Sequence, residues 1–370
     1  MLAKLKKKLR SRFPFLKLSD REFLGTVYRE ILGREIDPEG LQFYLRLLGQ
    51  GTDRLSVLSY MVNSQDFISK VLRQQMPLPD IRHQKPENYH TAEDVIRKKR
   101  TPVFRSEKGA DYDWLEEMIH ENGYYERPGV WGFDLDLDKQ VMAAVLACFS
   151  PRRALEIGCS GGAILKGLWL KGIEAEGVEI SAMAKARAFP EIRNRIHLGD
   201  LLQVELPAEY ELIFGLDIFE HFNPNRIPAY IRKMRELLLP GGYVYANIPA
   251  FGEDSTFGNP FPLYLEAWEG ERSAGGPFQT LPVDDGGYPL DGHLTWADTI
   301  WWGRQFMENG FVRELEIERA LHRKLDDLLE ARAPARKAFY VFSREGQAHK
   351  NREICEAVRR VVLPTPGDRP

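Results

Sequence analysis

Two groups of side chains that could take part in catalysis lie next to predicted strands or helices. The first is Asp217-x-x-Glu220-His221, which comes directly after the apolar run 212–216, and the second is His293, which precedes an aromatic helix. In open α/β sheets, residues that follow a strand lie at the edge where ligands bind. Imidazole is a suitable base for deprotonating a hydroxyl acceptor. We therefore expect Asp217, His221 and His293 to form a catalytic site, with a purely structural His221 as the alternative.

A glycine loop between a strand and a helix forms a second candidate site. The run 154–157 predicts a buried strand, which opens at Gly158, and a helix begins after Gly162. Glycines let the backbone approach a ligand, and a helix N-terminus favours negative charge there. By itself such a loop is compatible with NAD, with a phosphate or with no ligand.

Acids at the ends of successive predicted strands narrow this choice. Glu156 would repel a pyrophosphate but suits an ammonium, such as that of a methionyl group. Glu179 ends the next strand, where an acid can hydrogen-bond ribose hydroxyls. Asp200 follows a short strand through Ile196 and could accept from an adenine amino group. The acids together favour a nucleoside that carries a cation.

In order and spacing these segments resemble the motifs of class I S-adenosylmethionine (SAM)-dependent methyltransferases of the type 11 and type 23 groups. Residues 156–162 match E-x-G-x-G-x-G, with Ser160 in place of the middle glycine. The later motifs match residues 176–181, 199–201, 212–221 and 239–249. The resemblance covers about 125–345 and implies an α/β fold: a Rossmann-like, seven-stranded sheet with helices on both faces. It also implies SAM as the cofactor, whereas Glu156 does not fit an NAD site.

The resemblance assigns cofactor roles residue by residue. The implied cofactor-binding residues are Glu156, Gly158, Ser160, Gly162, Glu179, Ile180, Asp200, Leu201 and Asp217. By this resemblance, the residues of the loop 156–162 would hold the methionine part. Glu179 would bind the ribose and Ile180 would pack near the adenine, while Asp200 and Leu201 would contact the adenine edge. Asp217 would lie close to the transferred methyl group.

The Asp-x-x-Glu-His group also resembles the divalent-cation site of ubiquinone-pathway O-methyltransferases and small-RNA 2′-O-methyltransferases. The resemblance implies Asp217, Glu220, His221 and His293 as ligands of Mg²⁺ or Mn²⁺, with Asp217 where those enzymes have glutamate. Carboxylates and imidazoles do not by themselves choose among such metals. A metal-free histidine base therefore remains the alternative.

The connection 250–294 is long, aromatic and rich in glycine and acids. Loops of this length are usually functional or disordered. We expect a substrate-side insert whose aromatic rings stack on sugars, and the alternative is an ordered insertion over a sheet edge. Tyr125 or Trp131 could cover the cofactor in the same way, or belong to the core. The acids of this connection and its lack of a basic cluster argue against a nucleic-acid acceptor.

The remainder of the chain divides by composition. Residues 1–17 carry seven cations and no acid, which predicts a basic amphipathic tail suited to an anionic membrane surface. Residues 18–75 predict a small all-α domain that resembles a domain of unknown function found in bacterial surface-polysaccharide proteins, which implies a protein-interaction module. Residues 76–110 are rich in proline and cations and predict a linker, 111–345 the methyltransferase domain, and 346–370 a C-terminal helix and tail.

Bulk properties indicate the compartment, whereas the acceptor hypothesis depends on the Asp217-x-x-Glu220-His221 group, the aromatic insert, the helical domain and the basic tail. The chain has 370 residues, a net charge of -3 and three cysteines without paired spacing. Sparse cysteines favour a reducing compartment, so we expect a cytoplasmic protein, with the tail at the inner face of the membrane. The leading hypothesis is O-methylation of a sugar hydroxyl in a surface glycan or its precursor. The alternatives are a small-molecule (quinone, phenol or amine) methyltransferase and a non-catalytic scaffold.

Overall fold

The computed structural model describes residues 18–32, 34–49, 51–62, 77–127 and 133–364. The chain forms two compact units, Met1–Pro77 with Arg127–Trp131, and Leu78–Glu126 with Gly132–Pro370. None of the helices within the described residues is both long enough and apolar enough to cross a membrane.

The described part of the first unit is helical, as predicted. Its helices are α1 (Asp20–Leu32), α2 (Pro38–Gly49) and α3 (Arg54–Val62). Helix α1 begins with reciprocal hydrogen bonds between Ser19 and Glu22, which satisfy backbone donors that the first turn leaves free. Apolar residues at helical spacing meet in one core that includes Phe23, Tyr44 and Met61.

The second unit contains ten strands among its described residues. The strands are β1 (Tyr89–Asp94), β2 (Lys99–Arg105), β3 (Arg153–Ile157), β4 (Glu174–Glu179), β5 (Ile196–Leu198), β6 (Tyr210–Leu216), β7 (Leu238–Asn247), β8 (Thr280–Pro282), β9 (Val312–Arg313) and β10 (Phe339–Ser343). The helices of this unit are α4 (Gly109–Glu121), α5 (Leu137–Ala147), α6 (Ala163–Trp169), α7 (Ala182–Ala186), α8 (Ile227–Leu237), α9 (Ala267–Ser273), α10 (Thr299–Glu308), α11 (Leu315–Arg332) and α12 (Ala348–Arg360).

Seven strands form one sheet in the order β5-β4-β3-β6-β7-β10-β9, which confirms the predicted Rossmann-like fold. Strands β3 to β7 pair in parallel, whereas β10 is antiparallel to β7 and β9. The chain leaves β3 toward β4 on one side and later returns to β6 on the other. Ligands bind where the strand order reverses in this way, so the crevice between the carboxyl ends of β3 and β6 is the expected cofactor site.

Helices cover both faces of this sheet. One core lies under α5, α6, α11 and α12, and the other lies under α8 and α10. Parallel strands buried on both faces consist of nearly continuous apolar residues, which is why β3 and β6 were visible in the sequence. Helix α12 contributes Ile354, Cys355 and Val358 to the first core. The domain therefore extends beyond the predicted boundary at residue 345.

The prediction of a linker at 76–110 is wrong for its described part. Strands β1 and β2 form an antiparallel hairpin, and β2 also pairs with β8. Buried Phe104 packs in a small core with Phe278 and Leu281. The segment has too few apolar residues to indicate a strand pair by itself, and their partners lie more than 150 residues further along the chain.

The insert 250–294 supplies the other half of this small core. Phe251, Trp268, Phe278 and Tyr288 are completely buried there, and the Trp268 and Phe278 rings stack with centroids 5.2 Å apart. These rings are not available to stack on a sugar, so the expectation of an aromatic lid is wrong for them. The alternative of an ordered insertion describes the segment correctly.

Candidate active site

The glycine loop has the backbone that its sequence requires. Strand β3 ends at Ile157, and Gly158 and Gly162 adopt φ angles of 68° and 72°. A Cβ atom on Gly158 would lie 2.6 Å from the side chain of Ile218, so only glycine fits at this close approach. Ser160 also has a positive φ of 50°, a conformation that glycine adopts without strain. The departure from the family motif therefore falls at a position whose backbone still follows the motif.

Glu156 is a buried carboxylate at the end of β3. Its Oε2 has no hydrogen-bond partner among the described residues. Burial raises its pKa well above the usual value, and the negative charge of Glu179 adds to the shift. A buried ionised group is costly unless a charge or hydrogen bond compensates it. The ammonium of a methionyl group would supply that compensation, so the donor set of the loop fits SAM.

Glu179 is held in place by the loop itself. Its Oε2 accepts a hydrogen bond from the Ser160 backbone N–H at 2.7 Å, and its Oε1 accepts one from Ser181 at 2.8 Å. Each carboxylate oxygen keeps lone-pair capacity for a further donor, as a ribose hydroxyl would provide. The neighbouring Ile180 is 41% exposed, which leaves an aliphatic surface for a flat ring.

Asp200 lies after β5 and has partners that the sequence did not reveal. Its Oδ1 accepts from the Leu202 backbone N–H at 2.8 Å, and its Oδ2 accepts from the Tyr230 hydroxyl at 2.8 Å. Tyr230 belongs to α8 and stacks on Phe222. Leu201 is buried beneath this acid. The orientation of the Asp200 carboxylate is therefore fixed from two sides.

Asp217 follows β6 with a positive φ of 52°. Its Oδ2 forms an ion pair with Arg336, at 3.1 Å from Nη2 and 3.3 Å from Nε. Arg336 lies in the turn before β10, and the side chain of Asp217 remains 46% exposed. The carboxylate thus faces Arg336 and not the two histidines.

His221 and His293 lie side by side, with ring centroids 4.7 Å apart. The Tyr125 hydroxyl is 3.1 Å from His221 Nδ1 and 3.3 Å from the Gly292 carbonyl oxygen. Glu220 is buried next to them, with Oε1 3.8 Å from His293 Nε2. The structure therefore brings together three of the residues predicted for catalysis or metal binding, and adds Tyr125.

The environment keeps both imidazoles neutral. Burial lowers the pKa of His221 to about 3, with His293 adding to the shift, and burial lowers the pKa of His293 to about 3. The backbone carbonyls of Gly292 and Asp217 also lie against the His221 ring and act in the opposite direction on its pKa. The direction of the hydrogen bond between the Tyr125 hydroxyl and His221 Nδ1 depends on the tautomer. In either tautomer a neutral imidazole has one ring nitrogen with a lone pair that can accept a proton.

The cation site predicted from the resemblance forms only in part. Single ligand atoms of Glu220, His221 and His293 lie within 4.8 Å of one another. Asp217 is not in this group, because its carboxylate turns toward Arg336, so the predicted four-residue ligand set is wrong in that member. Among the described residues, Glu220 Oε2 is buried and has no hydrogen-bond partner. This oxygen and the neutral imidazoles of His221 and His293 are suitable ligands for a cation.

Tyr125 is positioned by the end of β4. The short turn Tyr124–Glu126 precedes α5, and the Glu126 carboxylate accepts hydrogen bonds from the backbone N–H groups of Ala182 and Met183, at 2.7 and 2.8 Å. This contact links the start of α7 to the histidine pair. Tyr125 was expected over the cofactor or in the core, whereas it contacts His221. Trp131 lies outside the described residues.

Comparison with known proteins agrees with the fold and the motifs. Residues 131–286 match the family model described as a methyltransferase domain. Residues 13–71 match the model of a domain of unknown function. Residues 131–286 are therefore a methyltransferase domain, and the sheet, the glycine loop and the ordered acids are those of the class I SAM-dependent type. No curated protein is similar enough to this sequence to count as a relative.

Solved structures with a similar fold include three methyltransferases. Human N-acetylserotonin methyltransferase in complex with SAM is 12% identical, with 65% of this chain and 57% of that chain covered and a TM-score of 0.36. An amino pentose methyltransferase from Micromonospora echinaspora is 18% identical over 61% and 97%, with a TM-score of 0.38. A 1,6-didemethyltoxoflavin-N1-methyltransferase from Burkholderia thailandensis is 10% identical over 66% and 93%, with a TM-score of 0.39. The chain thus spans little more than half the length of the human enzyme, and 47% of a Pyrococcus horikoshii protein that it also resembles.

Proposed function

We propose that this methyltransferase transfers the methyl group of SAM to a hydroxyl oxygen of a sugar, in a surface glycan or its precursor. The observation that carries the oxygen acceptor is the buried His221 ring, which lies against His293 and has the Tyr125 hydroxyl 3.1 Å from its Nδ1. An amine acceptor that is already neutral needs no such base, whereas a hydroxyl must lose its proton as the new bond forms.

The reaction divides between cofactor and protein. The sulfonium of SAM makes the methyl carbon electrophilic and leaves as a thioether. Glu156 and Glu179 would hold the cofactor through its ammonium and ribose, and the His221 imidazole would accept the proton of the acceptor hydroxyl as the oxygen–carbon bond forms. Tyr125 holds the imidazole, and alignment of donor and acceptor supplies much of the rate enhancement.

The glycan part of the proposal has its support outside the active site. The segment 18–75 resembles a domain found in surface-polysaccharide proteins, and its described residues 20–62 form the three helices α1, α2 and α3. The net charge of -3 and the acids of the insert are unfavourable for a nucleic-acid acceptor. The buried aromatic residues of the insert do not contribute to this support.

A transfer assay with labelled SAM tests the function. The acceptors would be nucleotide sugars, polyprenyl-linked sugars, phenols, quinols and amines. We expect a sugar hydroxyl to be methylated, and His221→Gln to lower kcat by about 10²- to 10⁴-fold while SAM affinity stays unchanged. His349→Gln, an exposed histidine on α12, is the matched control. Turnover of amines or quinols alone, or an active His221→Gln enzyme, would overturn the proposal.

A divalent cation at Glu220, His221 and His293 is a second candidate for the acceptor side. Its support is that one ligand atom from each of these three residues lies within 4.8 Å of the other two. There the cation would hold the acceptor oxygen and lower the pKa of its hydroxyl. Calorimetry with MnCl₂ on wild type and Glu220→Gln tests it: heat that disappears in the variant supports the cation, and turnover unchanged by EDTA rejects it.

The proposal also places the protein in the cytoplasm. Residues 1–17 would contact the anionic inner face of the membrane through their seven cations, and residues 18–75 would bind a protein partner. Fractionation of the native cells tests the location. Salt-sensitive vesicle binding that weakens when the seven cations are replaced by glutamine tests the tail.

A further inference from the structure

The hairpin between β1 and β2 has an unusual combination of side chains at its tip. Residues 95–100 read Val-Ile-Arg-Lys-Lys-Arg, two aliphatic residues followed by four cations. All six are exposed, and Val95 and Ile96 keep 44% and 51% of their surface in contact with solvent. Single exposed aliphatic residues are common on soluble proteins. Two adjacent ones at a projecting turn, bordered by four like charges, form a surface with an apolar tip and a cationic rim.

This tip is fixed in shape by the rest of the second unit. Asp94 is buried and accepts hydrogen bonds from the backbone N–H groups of Ile96 and Arg97, at 3.1 and 2.9 Å. The backbone N–H of Val95 donates to the Tyr264 carbonyl oxygen at 2.9 Å, so the insert supports the turn from the side. The aliphatic pair is therefore held outward, and little conformational entropy is lost when it binds a partner.

The cations of the tip are largely available to a partner. Arg97 is 3.8 Å from Asp94 but its side chain is 62% exposed. Within the ranges that the structure describes, no acid forms an ion pair with Lys98 or Lys99. Glu93 lies opposite Arg100 across the two strands. The eight residues 93–100 thus carry four cations and two acids, and one of these acids, Asp94, is buried.

A depression lies beside the tip on the same hairpin. It has a volume of about 550 Å³ and is open to solvent. Its lining includes Arg82, His90, Thr91 and Arg100, which supply cationic and hydrogen-bonding groups. Arg82 forms an ion pair with Asp80. Arg100 belongs both to the lining of the depression and to the tip.

We propose that the hairpin 93–100 binds an anionic lipid surface. Val95 and Ile96 enter the interfacial region, the four cations contact headgroup phosphates, and the depression accepts one headgroup next to Arg100. Aliphatic side chains combined with clustered cations are the chemistry that an anionic leaflet recognises. This surface is formed by residues other than those of the methyl-transfer site and those of the basic tail 1–17. Weak membrane contacts become stable when two such signals act together.

The first experiment reports directly on the tip. Ile96→Cys is labelled with a polarity-sensitive fluorophore in the full chain, and the native Cys148, Cys159 and Cys355 are all buried. Phosphatidylcholine vesicles containing phosphatidylglycerol should shift the emission to the blue, whereas pure phosphatidylcholine vesicles should not. Ile300→Cys, at a position 67% exposed on α10, is the matched control and should not respond.

The second experiment separates the hairpin from the tail. The seven cations of residues 1–17 are replaced by glutamine in the full chain, and sedimentation with the same anionic vesicles is compared with and without Lys98→Gln/Lys99→Gln. Each cation near an anionic leaflet contributes about fivefold to partitioning, so the double substitution should weaken binding by about 25-fold. Arg352→Gln/Arg359→Gln on α12 is the control for charge, and SAM affinity is the control for folding.

Three results would overturn the proposal. They are a label at position 96 that does not respond to anionic vesicles, a tail-neutral chain that does not sediment with them, and a double variant that sediments as its parent does. Equal binding to pure phosphatidylcholine would also contradict the electrostatic part of the proposal.

Discussion

The buried carboxylate of Glu156 permits a decisive test of the cofactor site. Glu156→Gln preserves the shape of the side chain and removes its charge. Because burial and Glu179 both raise the pKa of Glu156, its ionised form is unfavourable until a cation arrives. We therefore expect the variant to retain its fold but to bind SAM poorly.

The size of the effect follows from the contact that is lost. A hydrogen bond between a carboxylate and an ammonium contributes about 1.5–3 kcal/mol, which corresponds to about 10- to 150-fold in Kd. The substitution should have the opposite effect on the stability of the enzyme without SAM, because it should not lower the free energy of unfolding. A carboxyl whose pKa is raised in the folded state binds its proton more tightly there than in the unfolded chain, so its ionisation lowers the free energy of unfolding as the pH rises above 4.5. The variant lacks this loss and should be at least as stable as wild type at neutral pH.

Calorimetric titration with SAM and denaturant unfolding measure the two quantities on the same proteins. Wild-type affinity should also fall as the pH is lowered through the raised pKa, because protonation removes the charge that the ammonium meets, and the variant should show a flatter profile. Glu345→Gln, an exposed acid after β10, is the matched control. A Glu156→Gln enzyme that binds SAM as tightly as wild type would refute the assignment. Parallel loss of stability and affinity would show that the residue is structural.

Three further predictions concern residues around the acceptor and the adenine. Tyr125→Phe removes the hydroxyl that lies 3.1 Å from His221 Nδ1 and should lower kcat by about tenfold, the equivalent of one hydrogen bond, with unchanged SAM affinity by calorimetry; a normal kcat contradicts the role of Tyr125. Tyr230→Phe leaves Asp200 with one donor fewer and should weaken SAM binding by about fivefold, whereas His221 variants should not. Both histidines have pKa values lowered to about 3, so the unfolded chain binds more protons below pH 6.5, and stability in EDTA should fall with pH by up to about 1.4 kcal/mol per unit for each histidine. Urea unfolding of a His221→Gln/His293→Gln variant should have a shallower acid limb, and an unchanged limb would show that the imidazoles are not buried as neutral groups.

The cofactor half of the site was predictable because its chemistry is local in sequence. A strand, a glycine loop and a helix follow one another within residues 153–169, and the pattern of apolar residues and glycines specifies their order. Glu156 and Glu179 lie at the carboxyl ends of β3 and β4, and Asp200 follows β5, so the strands carry all three to one edge of the sheet. Only the strand periodicity and the turn residues were needed to place them together.

The partners of these residues were not predictable from the same signals. Tyr125 precedes His221 by 96 positions, Arg336 follows Asp217 by 119, and Tyr230 follows Asp200 by 30. Each contact depends on how a whole element packs, and a single tyrosine or arginine gives no periodic pattern. The interpretation of Asp217 as a metal ligand was wrong for this reason, because nothing near it in sequence indicated Arg336.

The two segments that seemed irregular, 76–110 and 250–294, were misread for a related reason. Each contains apolar residues at spacings that form neither a helical face nor a complete strand. In the structure Phe104 from one segment and Phe278 from the other lie in a single core, so the periodicity is divided between distant parts of the chain. Sequence reasoning that treats one window at a time assigns both to loops.

Because the insert is anchored in this shared core, it positions residues of the acceptor site, which is a different role from that of a lid. Gly292 has a φ of 81°, and a Cβ atom there would lie 3.0 Å from the Tyr125 hydroxyl and 3.2 Å from His221 Nδ1. The insert therefore brings the Gly292 carbonyl and the His293 ring against His221 at a point where a side chain would crowd both neighbours and strain the backbone. Because its aromatic residues anchor the insert in the small core, the position of the histidine pair depends on that core. Acceptor chemistry is consequently determined where the turn 124–126, the residues after β6 and the end of the insert meet.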